Sequence, residues 1–104
     1  MIDIQLNASG THHLQLDERH LQTLHDYHLL HGLVDSTGYV TEQTLDRLRL
    51  GVRSLIATAD DPKRLIDLSY EVLFHDKMKA FGLRNLLEAY KEWQPADEQT
   101  AATE

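Results

Sequence analysis

The apolar period of this chain changes once, at Asp17. Before it, Ile2, Ile4 and Leu6 alternate with Asp3 and Gln5, and Leu14 and Leu16 alternate with His13 and Gln15. That is the two-residue period of strands with one buried face. Between them Asn7-Ala8-Ser9-Gly10 has turn composition. The reading is a β-hairpin at about 2–6 and 11–16. A lone hairpin is marginal in water, so its apolar face must pack on something else.

After Asp17 the spacing becomes helical. Asp17 is placed to cap a helix running to about His31, with Gly32 as its stop. Leu21, Leu24 and Tyr27 share a side of that helix with His20, His28 and His31, and His25 sits at the edge. Thr41 caps a second helix reaching about Ala59, with Leu45, Leu48, Val52, Leu55 and Ile56 as its stripe. Residues 46–53 also alternate as a strand would, and Gly51 costs a helix interior about 1 kcal/mol. The cap and the longer helical pattern favour helix there. Asp60-Asp61-Pro62 is a strong helix start, an acidic cap followed by proline at the first position. The segment from Pro62 to about His75 is apolar over much of its circumference, with Tyr70 and Phe74 extending the arc, which predicts a covered central helix. Asp76 opens a last helix from Lys77 to Trp93. Residues 94–104 carry a charge of −3 and no large apolar side chain, the composition of a disordered acidic tail.

The expected fold is therefore α+β: a single compact domain over 1–93, with a short N-terminal hairpin packed on about four helices. The alternative is an all-α bundle whose N-terminal strand pairs in a dimer. At 104 residues the chain holds one domain, and a homodimer would help so small a core. The sequence has no cysteine, so thiolate metal sites and cysteine nucleophiles do not arise. No apolar run reaches the roughly 20 residues of a membrane helix, and a cytoplasmic protein is expected.

Six of the seven histidines lie between His12 and His31. His25, His28 and His31 stand three residues apart and are candidates for a metal site. The usual acidic co-ligands are missing from this stretch, so no metal or other cofactor is assigned. A packed, pH-responsive face is the competing reading, with association changing between about pH 5.5 and 7. Aligning Gly38 with the central glycine of a calcium-binding loop puts Leu33 and Thr44 where carboxylates are required, so no calcium is assigned either.

The net charge is −7 with histidine neutral, and protonating every histidine would bring it to zero. An acidic body argues against nucleic acid, which is bound through lysine and arginine. One basic stretch stands out: Arg47, Arg49, Arg53, Lys63 and Arg64. Arg47, Arg49 and Arg53 are candidate interaction residues and would carry a nucleic-acid-binding alternative. Tyr90 and Trp93 are candidate partner anchors, since aromatic side chains are favoured in interfaces. No nucleophile elbow or phosphate-cradling loop is present. By elimination the expected function is a small acidic protein–protein interaction module (a regulator, adaptor or inhibitor) without catalysis, whose partner is another protein. A basic partner surface would make its binding salt-sensitive.

Overall fold

The computed structural model describes residues 1–30, 32–33 and 38–95. Two strands, β1 (Ile2–Gln5) and β2 (His13–Leu16), form an antiparallel hairpin in the register Ile2↔Leu16, Asp3↔Gln15, Ile4↔Leu14, Gln5↔His13. This register puts Ile4, Leu6 and Leu16 in the core. Asp3, His13 and Gln15 face out, where Asp3 accepts from the Gln15 amide at 3.0 Å. Asn7 organises the turn. Its Oδ1 accepts from the backbone of Thr11 and His12, its Nδ2 donates to Thr11 Oγ1, and Gly10 takes φ +75°. Glycine adopts that left-handed conformation without steric cost.

Four helices follow: α1 (Glu18–Asp26), α2 (Glu42–Ile56), α3 (Pro62–Leu68) and α4 (Ala80–Glu92). The fold is α+β, a hairpin on four helices. Apolar side chains from every element meet in one core, including Ile4, Leu16, Leu21, Leu45, Leu68 and Leu83. Residues 46–53 are helical, so the helical period prevails over the alternation. Thr41 and Thr44 cap α2 reciprocally, each hydroxyl accepting from the other's backbone N–H. No helix among the described residues is long and apolar enough to cross a membrane.

Four expectations are corrected. First, α1 stops at Asp26 rather than running to His31. The N–H of Leu29 reaches back to the Leu24 carbonyl and that of His28 to the His25 carbonyl, while His28 takes φ +54°. This is a Schellman ending with histidine where glycine is usual, so the glycine at position 32 misplaces the stop. Second, the segment 62–75 is not one α-helix. α3 gives way to a π turn at Ser69–Leu73, closed by the Phe74 N–H on the Ser69 carbonyl at 2.8 Å. Third, Pro62 does start α3, but the Asp61 side chain makes no capping bond. Fourth, α4 begins at Ala80, and Asp76 does not cap it. The carboxylate of Glu42, at the start of α2, accepts from the Ala80 N–H at 2.7 Å and caps α4 from another element. Sequence reading cannot find a cap that arrives from 38 residues away.

The hairpin is held by α4. Asn85 donates from Nδ2 to the Gln5 carbonyl at 2.6 Å. Gly82 lets the helix approach so closely that a Cβ there would lie 2.8 Å from Leu6 Cδ2 and 2.8 Å from Met78 Sδ. The packed body continues to Pro95, which is buried. The acidic tail expected from 94 onward lies outside the described residues from 96.

Candidate functional site

α2 presents three surfaces. Leu45, Leu48 and Val52 are buried and fix its inner side. Its outer side carries Arg47, Leu50 and Arg53, three residues apart. Leu50 is 64 % exposed. Neither arginine forms an ion pair among the described residues, whereas Lys63 pairs with Asp67 at 3.2 Å and Arg64 with Asp26 at 2.8 Å. The outer side of α2 therefore carries two cations without ion pairs among the described residues, around one exposed leucine.

Arg49 does something different. Its side chain is only 21 % exposed. It donates from Nε to the Leu73 carbonyl at 2.7 Å and from Nη2 to the Met78 carbonyl at 3.3 Å, and it pairs through Nη1 with Asp46 at 3.1 Å. Its guanidinium also lies 5.2 Å from the Phe74 ring centroid. Arg49 thus ties α2 to the carbonyls that the end of the π turn leaves open.

Beside this clamp stands a ridge that sequence reading missed. Ile66, Tyr70 and Phe74 follow one another at four-residue spacing, with Tyr70 75 % and Phe74 41 % exposed. The expected central helix is covered only on the side of Leu65, Leu68, Val72 and Leu73. Arg53 approaches the Phe74 ring to 5.9 Å and joins the ridge to the outer side of α2. Spacing could have found the stripe. It could not say that the stripe faces out, because both arcs of the segment are apolar.

Among the described residues the histidines do not converge on one site. His31 lies outside the described residues. His28 is exposed at the α1 turn, and His25 shares a 3.3 Å hydrogen bond with the Tyr90 hydroxyl. The His25 and Trp93 rings meet edge-on at 6.4 Å, and Tyr90 and Trp93 lie 6.0 Å apart. These aromatic candidates thus form a cluster of their own at the end of α4. Among the described residues no group of three His, Asp or Glu side chains is arranged to hold a metal ion.

His20 is the buried member, 4 % exposed. Its Nε2 lies 3.1 Å from Glu71 Oε2, on the π turn, and Arg19 Nη2 reaches the same oxygen at 3.4 Å. Burial pushes the His20 pKa below the ordinary histidine value, with Arg19 adding to the effect and the carboxylates of Glu71 and Asp17 opposing it. His13 moves the other way. The Gly10 carbonyl at 2.9 Å and the Asp3 carboxylate at 2.8 Å hold its imidazolium and raise its pKa. The two have opposite consequences for stability. A lowered native pKa means that the unfolded chain takes up the proton first. The His20 contribution is therefore complete above about pH 6.5 and falls away as the pH drops toward the lowered native value. The His13 contribution is complete below about pH 6.5 and is lost as the pH rises through its raised native value. His20→Gln is expected to flatten the acid side of a plot of urea midpoint against pH, and His13→Gln the neutral side. Parallel curves for all three proteins would refute this assignment.

One further feature borders α2. A groove of about 570 Å³ runs between its flank and the turn that ends α1, with Leu29, Leu33, Leu48 and Leu55 in its wall and Arg47 at its edge.

A hairpin packed on four helices, with an arginine-flanked apolar surface on the second helix, defines a small α+β domain. The chain matches the family described as Domain of unknown function (DUF8442) over residues 2–104 and belongs to it. Comparison with curated proteins and with solved structures gives no match.

Proposed function

We propose that this protein is a small acidic protein–protein interaction module, acting as a regulator, adaptor or inhibitor without catalytic chemistry of its own. The observation that carries the reading is the outer side of α2 with its neighbouring ridge. Leu50, Tyr70 and Phe74 expose apolar surface beside Arg47 and Arg53. Single exposed apolar side chains are ordinary on a protein surface. Aromatic and arginine side chains gathered around an apolar one have the composition of an interface centre.

The charges also describe the partner. Two copies pairing antiparallel about Leu50 would set the position three before it against the position three after, arginine against arginine. Like charges so placed cost several kcal/mol. The surface is instead complementary to an apolar pocket rimmed by carboxylates on a different protein.

The test is affinity capture from the native lysate with the wild type, with a Leu50→Asp/Arg53→Glu double variant, and with Tyr39→Asp. Tyr39 is exposed and precedes α2 in the chain. A partner retained by the wild type and by Tyr39→Asp but lost with the double variant is the expected result. Identical captures by all three would remove α2 as the binding face.

A further inference from the structure

We infer that the groove along α2 binds a molecule with a hydrocarbon body and a single carboxylate head, of the straight-chain fatty-acid class. This inference does not depend on the identity of any protein partner.

Size is the first argument. The groove's volume of about 570 Å³ falls within the range of roughly 300–1,000 Å³ found for small-molecule sites. Its wall on α2 runs from Thr44 to Leu55, about 16 Å at a rise of 1.5 Å per residue. A peptide adding as a β-strand needs a free backbone edge, and the α2 backbone is bonded within its own helix.

The lining is the second. Leu29, Leu33, Leu48 and Leu55 supply hydrocarbon. Among the described residues no acidic side chain lines this groove. Its polar groups are Arg47, His28 and the hydroxyls of Tyr27, Thr44 and Ser54. The Arg47 guanidinium has no ion pair among the described residues and offers the planar fork that takes a carboxylate with two hydrogen bonds. Charge and shape together select an anion at one end of an apolar body.

Gly51 is the third. It sits inside α2, where glycine disfavours the helix. A Cβ there would meet nothing within 4 Å, so no neighbouring element requires glycine at this position. What the absent side chain leaves open is the groove, which Gly51 lines.

The experiment titrates octanoate, decanoate and dodecanoate, below their micelle-forming concentrations, into the isotopically labelled full chain and follows its amide NMR spectrum. Saturable 1:1 shifts at residues 27–29 and 47–55 are expected with at least one chain length. Arg47→Gln should weaken carboxylate binding at least tenfold while leaving decanol binding unchanged. Gly51→Leu, which fills the groove from within, should raise the melting temperature and weaken both ligands at least tenfold. If that variant does not fold, Gly51→Gln serves in its place. No saturable binding by any of the three carboxylates would overturn the proposal. So would equal binding of decyltrimethylammonium, or shifts confined to Leu50, Tyr70 and Phe74, which would place the apolar affinity on the exposed ridge.

Discussion

Arg49→Ala is expected to destabilise the fold by about 3 kcal/mol, measured by urea unfolding at neutral pH. Hydrogen bonds from a charged donor contribute roughly 1.5–3 kcal/mol each, and this side chain makes three of them, to the Leu73 and Met78 carbonyls and to the exposed Asp46 carboxylate, besides lying over Phe74. Partial exposure of the guanidinium keeps the total well below the sum. Total stabilities of small domains are only about 5–15 kcal/mol, so such a loss would be visible at once. Arg49→Lys should recover little of it, because a lysine ammonium is a point charge without the rigid fork that spans two carbonyls. A cost below about 1 kcal/mol for the alanine variant would show that the guanidinium is an ordinary surface charge and that the junction of α2 with the π turn is held by side-chain packing alone. The expectation also separates Arg49 from its neighbours. Arg47→Ala and Arg53→Ala remove charges without ion pairs among the described residues and should leave the unfolding midpoint nearly unchanged.

A second large effect is expected where the hairpin meets α4. Leu6→Ala removes a side chain that is fully buried against that helix and should cost about 3 kcal/mol, within the range for core leucines. Gly82→Ala by itself sets two opposing terms against each other. Alanine favours the helix by about 1 kcal/mol, but the added methyl would sit 2.8 Å from Leu6 Cδ2 and from Met78 Sδ, and overpacking costs roughly 1–3 kcal/mol. The net change should be zero or destabilising. In the Leu6→Ala background one of the two obstructing atoms is gone, so the same substitution should become stabilising. The double variant is then expected to be more stable than the sum of the single changes by about 1–2 kcal/mol, the coupling typical of residues in contact. Strict additivity would mean that α4 and the hairpin do not meet at this point.

The agreement between sequence and structure follows from how local each signal is. The hairpin is readable because its strands, its turn and its cross-strand partners all fall within sixteen residues. Of the five residues that the alternation names, Ile4, Leu6 and Leu16 are buried and Ile2 and Leu14 are partly buried against the core. α2 is readable for the same reason: Thr41 and Thr44 cap it from three residues apart, and its stripe is continuous. The end of α1 is not readable, because histidine is not the residue that marks a left-handed stop. His28 is held there by backbone bonds from two adjacent residues, and the glycine that follows draws attention to the wrong place. The start of α4 fails for another reason: its capping carboxylate belongs to Glu42.

The candidate surface divides in the same way. The basic stretch on α2 stands out in the sequence, yet three arginines of one chemical type turn out to hold two different positions. Arg49 is drawn inward by carbonyls at Leu73 and Met78, which only the π turn and the chain after it bring within reach. Arg47 and Arg53 remain outside, around Leu50. Tyr90 and Trp93 pack with His25, while Tyr70 and Phe74, read as part of a buried arc, form the exposed ridge.

What the sequence determines by itself is the order of the elements and, the π turn at Ser69–Leu73 apart, their type, because the change from a two-residue to a 3.6-residue apolar period at Asp17 is a property of nearest neighbours along the chain. What only the tertiary structure decides is which apolar arc stays wet and which arginine is free. Both depend on groups that are distant in sequence, a glutamate capping a helix 38 residues away and a guanidinium reaching carbonyls 24 and 29 residues away. No local pattern encodes those distances; they are set when the apolar side chains of all the elements close into one core.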